Sequence, residues 1–332
     1  MSRMKTCLAC LACAVSVMAL GQQPVDPDAT TKTKELLMNL HEISEHGFMF
    51  GHQDDQAYGV GWKDERGRSD VKETVGSFPA VHGWDVGSRL TNDENLDQVK
   101  FDNMRKWVKK AYKMGTINTF SWHLDNLTTG GNSWDNTPSV PDLLPGGAKH
   151  AEFNEQLDLL AELFHSMRSW FQPIPIIFRP WHEHNGDWFW WGKGNVSEED
   201  YIALFRYTVD YLKNEKDVHQ LLYAFSPDRS RLRLDTIPEQ NYLWGYPGDD
   251  YVDIIGIDNY GDVGRSGGPD SEEKQAENFV ESLKLITKIA REKGKVAALT
   301  ETGLEGVTRP DWFTEVILNP IKANPEEIAI AW

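Results

Sequence analysis

The sequence predicts a (β/α)8 TIM barrel. Three observations point there. Apolar strand-like runs alternate with helical patterns along the chain; eight such runs can be counted; and the runs are apolar throughout rather than every second residue, as parallel strands buried on both faces are. The 332 residues suit one large α/β unit. A doubly wound open sheet is the competing architecture. It usually carries a glycine-rich phosphate loop after its first strand, whereas here Gly51-His-Gln-Asp-Asp follows, which is no phosphate cradle.

The strand candidates, in order, are Phe48–Gly51, Phe78–Trp84, Thr116–Trp122, Ile174–Arg179, Leu221–Ser226, Val252–Asp258, Val296–Thr300 and Ile328–Trp332. Helices are expected over Leu96–Met114, Glu152–Trp170, Ser197–Lys213 and Ser271–Lys293, from apolar residues spaced by three and four. Ser197 followed by Asp200 reads as a helix start, and Pro310 suits the first position of a shorter helix. The eighth strand candidate ends at Trp332 with no eighth helix after it, so the barrel is expected to be incomplete at its C-terminus, a truncated form of a longer chain, with a barrel that closes differently as the alternative.

The N-terminus reads as an export signal over residues 1–21. Arg3 and Lys5 precede an uncharged apolar run from Cys7 to Leu20, and Ala19-Leu20-Gly21 supplies small residues before Gln22. A buried N-terminal helix is the competing reading; the run is short for a membrane span. Neither Cys10 nor Cys13 has the flanks of a lipidation site. The three cysteines lie inside this segment, so the mature barrel, residues 22–332, would hold neither a disulfide nor a cysteine metal site. A soluble product, periplasmic or extracellular and monomeric, is expected. Lys and Arg number 34 against 51 Asp and Glu, a net charge of -17, which disfavours nucleic acid and anionic membrane as partners.

Barrel chemistry gathers at the C-terminal ends of the strands. Those ends carry His52 and Gln53, Trp84 and Asp85, Trp122 and His123, His182 and Glu183, Asp228 and Arg229, Asp258 and Tyr260, and Glu301. The richest is Arg179-Pro-Trp-His-Glu-His-Asn-Gly-Asp-Trp-Phe-Trp-Trp-Gly192, where Glu183 stands among four tryptophans. A carboxyl group can protonate a glycosidic oxygen, and indoles offer flat faces to the C–H faces of sugar rings. Glu301, three strands on, is the partner a retaining glycosidase needs. Desolvation among indoles should keep Glu183 protonated, while Tyr260 and His182 are possible donors that would keep Glu301, which follows Thr300, ionised. His182 and His184 could suggest a metal pair, but no third ligand stands at usable spacing, so no metal and no cofactor is expected. Asn126-Leu-Thr and Asn195-Val-Ser match glycosylation triplets, and Gly264–Pro269 reads as a rim of the cleft or a plain surface connection.

The Arg179–Gly192 segment, with Thr300-Glu-Thr-Gly303 downstream, resembles glycoside hydrolase family 26, dominated by β-mannanases on a (β/α)8 scaffold. Gly51-His-Gln, Phe120-Ser-Trp-His123 and Gly256-Ile-Asp-Asn-Tyr260 look like other strand ends of the same family, in the same order. The resemblance implies Glu183 as acid/base and Glu301 as nucleophile. It implies His182 near the sugar 2-hydroxyl or the nucleophile, Tyr260 on the nucleophile's carboxylate, and Trp188 as a platform beside the cleaved bond. His123 and Trp134 would line the negative subsites, Trp134 by a looser match. The implied activity is that of a retaining endo-β-1,4-mannanase on mannan, glucomannan or galactomannan. A β-1,3-xylanase, a mixed-linkage glucanase, a mannobiose-releasing enzyme and a catalytically silent carbohydrate-binding barrel are the alternatives.

Overall fold

A computed structural model describes residues 23–332; the expected export signal lies outside them. Seven parallel strands form one sheet in sequential order: β1 Gly51–Gln53, β2 Val81–Asp85, β3 Ile117–Trp122, β4 Ile176–Pro180, β5 Leu221–Phe225, β6 Ile254–Asp258 and β7 Val296–Glu301. Every residue of β2, β4, β5 and β6 is buried, which is why these runs are apolar without alternation. The eighth candidate, Ile328–Trp332, lacks the continuous pairing of a strand but bridges the two edges. Ala331 N–H donates to Ala297 O of β7 at 2.8 Å, Leu299 N–H of β7 donates to Trp332 O at 2.8 Å, and Met49 N–H, just before β1, donates to Ala331 O at 2.9 Å. The curled sheet therefore closes in the manner of a (β/α)8 barrel.

The long helices are α1 Thr31–His46, α2 Phe101–Lys113, α3 His150–Ser166, α4 Glu198–Asp210 and α5 Glu272–Lys293. As the start signal implied, the Ser197 hydroxyl accepts the Asp200 N–H at 3.1 Å and caps α4. Ser271 caps α5 in the same way, and Gly294, at φ 64°, ends it in the left-handed conformation that glycine adopts without strain.

Three helix boundaries differ from expectation for local reasons. Asn95 ties Asp97 N–H, Val99 N–H and Asp85 O through its side chain, which holds a loop where a helix from Leu96 was expected; α2 starts at Phe101. α3 stops at Ser166 because the chain enters a two-stranded hairpin, Arg168–Ser169 with Gln172–Pro173. After Pro310 the chain makes a wide π-type turn over Trp312–Leu318 before the short helix Asn319–Lys322.

Helix α1 was not among the expected elements. Its Leu36, Leu37 and Leu40 pack against Val81, Ile177, Leu222, Ile254 and Val296, side chains at or near the N-terminal ends of the strands. It thus closes the floor of the barrel and leaves the other end open.

Candidate active site

At the open end the last residues of the strands converge. Glu183 follows β4 at φ 52°, a left-handed conformation uncommon for a side-chain-bearing residue, and its N–H is anchored on Ser226 O at 2.8 Å. The Trp188 indole N–H donates to Glu183 Oε2 at 2.8 Å. Burial first, then the charges of Glu301 and Asp228, push the Glu183 carboxyl up to about 8.

Glu301 ends β7. It accepts from Tyr260 OH on Oε2 at 2.9 Å and from Arg179 Nη2 on Oε1, with His182 Nε2 3.9 Å from Oε1. Arg179, buried near the end of β4, also donates from Nη1 to Asp258 Oδ2 at 2.8 Å and to Ser226 Oγ at 3.1 Å. Burial works against its charge, but Asp258 and Glu301 outweigh burial and hold the guanidinium protonated. Thr300 Oγ1 donates to the other oxygen of Asp258 at 2.6 Å. One oxygen each from Glu183, Asp258 and Glu301 lie within 4.8 Å of one another, with the guanidinium bonded to two of the three carboxylates. Two carboxyls at this separation fit a double displacement, which needs about 5–5.5 Å between them.

His123 follows β3. Its ring lies flat against Trp134, centroids 5.4 Å apart and 13° between planes, and edge-on to His182 at 4.5 Å. Trp134, half exposed, is therefore drawn to the site despite its looser match in sequence. A cavity of about 960 Å³ opens here, with His123, Trp134, Arg179, Tyr260 and Glu301 on its walls.

His52, Gln53 and Asp85 also line this cavity, whereas several other strand-end residues make their main contacts elsewhere. Trp84 and Trp122 are fully buried, stacked on Trp107 and against Trp181. Arg229 pairs with Asp262 at 2.9 Å. His184 Nε2 donates to Trp244 O at 3.0 Å, because a carbonyl oxygen can only accept, so its Nε2 carries the proton, and its ring stacks on Tyr201. It does not join His182 at a common point. Asn126 is fully buried with its amide bonded to Asp135 O and Thr137 O, so the folded chain offers no glycosylation acceptor there. Gly264–Pro269 is not among the residues on the walls of this cavity.

A model of glycosyl hydrolase family 26 matches residues 25–313. The chain belongs to glycosyl hydrolase family 26. It is 37% identical over 287 residues to a mannan endo-1,4-beta-mannosidase of Bifidobacterium adolescentis, covering 85% of this chain and 28% of that protein, so the chain spans little more than a quarter of that relative. Among solved structures, a family 26 β-mannanase from Bacteroides ovatus superposes with a TM-score of 0.82 at 37% identity, over 91% of this chain and 85% of the other. An endo-β-1,4-mannanase from Cellulomonas fimi superposes with a TM-score of 0.82 at 37% identity, over 93% and 69%.

Of the seven residues singled out for this family's site in the sequence, His123, Trp134, Tyr260 and Glu301 line this cavity; His182 lies edge-on to His123 with its Nε2 3.9 Å from Glu301 Oε1, and Trp188 is bonded to Glu183. Arg179, Asp258 and Asp85 were not among the seven. Arg179 was legible as the one charge closing an otherwise apolar strand, and Asp258 and Asp85 as strand ends; their mutual partners were not.

Proposed function

We propose that the protein is a retaining endo-β-1,4-mannanase, exported through its N-terminal segment and acting as a soluble monomer on mannan, glucomannan or galactomannan. The observation that carries the reading is the Glu183–Glu301 pair, two carboxyls in reach of one sugar with opposite surroundings. Glu183 is half-buried among indoles and favours its neutral form. Glu301 receives donors from Arg179 and Tyr260, which favour its charge.

In the first half of the reaction Glu183 is the acid. Trp188 donates to its Oε2, so the proton resides on Oε1, free to pass to the glycosidic oxygen. As that oxygen leaves with the proton, a Glu301 oxygen forms a bond to the anomeric carbon. Esterified Glu301 is neutral, so one of the charges that hold the Glu183 carboxyl up vanishes. Glu183, now a carboxylate, is thereby suited to act as the base that deprotonates water in the second half. Tyr260 and Arg179 then receive the carboxylate charge that returns to Glu301. His182 is buried beside the nucleophile, its Nε2 3.9 Å from Glu301 Oε1, Trp188 forms a platform next to Glu183, and His123 with Trp134 lines the negative side.

Reducing-sugar release from locust bean gum, β-1,3-xylan and lichenan, with chromatography of the products, tests the substrate. Mannan oligosaccharides of several lengths from the gum, and no turnover of the other two, is the expected result. Glu183→Ala should lose most activity on polysaccharide, keep part of it on mannosides with good leaving groups, and give with azide a product of retained configuration. An azide product of inverted configuration, or full activity in Glu301→Ala, would overturn the roles.

A further inference from the structure

Asp85, the last residue of β2, is a buried carboxylate that the reaction above does not use. It accepts three short hydrogen bonds: Ser121 Oγ and His123 Nδ1 on Oδ2, and Gly87 N–H on Oδ1, each at 2.6 Å. The glycine is required by the close approach, since a Cβ at position 87 would come within 2.5 Å of the His123 carbonyl oxygen. His123 Nδ1 is thereby committed as a donor, which fixes the ring and leaves its Nε2 3.1 Å from His182 Nε2. Two imidazole nitrogens at that distance form a hydrogen bond only when one of them carries a proton and the other does not. His182 Nε2 is in turn 3.9 Å from Glu301 Oε1.

We propose that Asp85 is a positioning residue that acts through His123 to lodge one proton between the His123 and His182 rings, and so sets the charge facing Glu301. The proposal rests on the reading of Glu301 as nucleophile. The groups that face this pair are Asp85 and Asp97 from the β2 side, Arg179 from β4 and Glu301 from β7. Burial disfavours charge on His123, but Asp85 and then Glu301 outweigh it, and the ring is held above the ordinary histidine range. Burial, Arg179 and His123 keep His182 neutral, as burial keeps His184. The proton therefore belongs to His123 and points at His182. When Glu301 is esterified, the Glu301 support for this cation disappears and the Asp85 support remains. The cation is then in place when the glycosyl-enzyme is hydrolysed and the carboxylate re-forms.

Ring titration by histidine NMR on the ligand-free wild-type protein tests the pair without any assay. One imidazole should titrate above the ordinary histidine value, and a second, bonded to it, should not titrate before the fold is lost. Two independent, ordinary titrations would overturn the proposal. In Asp85→Asn the upper titration should move down. Kinetics on the same variant, alone and in a His123→Gln background, separate positioning from mere structure. Asp85→Asn alone should lower kcat/KM by about 10–100-fold, the scale for carboxylates that orient imidazoles; in the His123→Gln background the further loss should be small. An equal loss in both backgrounds would assign Asp85 a structural role only. Failure of every polysaccharide assay would count against the proposed reaction, while the titration would still report the pair.

Discussion

At the scale of single residues, the charge balance of the cleft turns on Arg179. Its fork spans Asp258 and Glu301 with different nitrogens, a geometry that the single ammonium of lysine does not reproduce. Arg179→Lys is expected to lower kcat/KM by about 100-fold, because a buried charge-assisted bond to the nucleophile or to Asp258 must be lost. Activity within a few-fold of wild type would show the second prong to be dispensable. The Trp188 bond to Glu183 offers a test with a sign. The indole N–H favours the ionised carboxylate, so Trp188→Phe should raise the Glu183 pKa further above its value of about 8. Acid catalysis needs the protonated form, which survives to higher pH as that pKa rises. The alkaline limb of kcat/KM should therefore move upward in the variant, whatever happens to its height; a downward shift would contradict the assigned bond. The two glutamates were legible in the sequence because strand ends in a barrel converge. Arg179 was less so, since its importance lies in partners 79 and 122 positions away.

At the scale of elements, periodicity carried most of the fold, and it failed where a turn lacks its usual residues. The hairpin Arg168–Ser169 with Gln172–Pro173 turns on Trp170 and Phe171, with Trp170 at φ 56°. In a two-residue hairpin loop, positive φ at the first position alone marks a turn that favours glycine there. Tryptophan sends no turn signal, and its apolar side chain let the helical pattern of α3 run on four residues beyond Ser166. Both turn side chains are nearly fully exposed, Trp170 at 89%. Trp170→Gly therefore removes little packing and relieves a left-handed tryptophan, which costs roughly 1–2 kcal/mol, partly offset by the greater freedom of glycine in the unfolded chain. The variant should be more stable by about 1 kcal/mol, seen as a higher urea midpoint with an unchanged slope. A lower midpoint would mean that the tryptophan makes contacts which favour the folded state.

At the scale of the whole molecule, the barrel has a polar working end and an apolar floor. The alternation of seven of the eight expected strands with helices was legible because parallel strands buried on both faces have no polar side to show. The floor was not, because Leu36, Leu37 and Leu40 stand among polar residues in α1, and nothing in that spacing says that the helix lies across the strand ends rather than along the sheet. Leu40 is fully buried against side chains from the strands' N-terminal ends, whereas Asp85, Asp258 and Glu301 are the last residues of theirs. Stability and catalysis are thus assigned to opposite ends of the same strands. Leu40→Ala removes buried methyl groups and leaves a cavity under the barrel, at an expected cost of about 2–5 kcal/mol. The strand tops are held independently, by the ladder hydrogen bonds between neighbouring strands and by the Arg179 network. While the variant remains folded, kcat and KM on mannan should stay at wild-type values even as the urea midpoint falls. A parallel loss of kcat would show that the floor helix also sets the geometry of the carboxyl pair, through the strands that carry it.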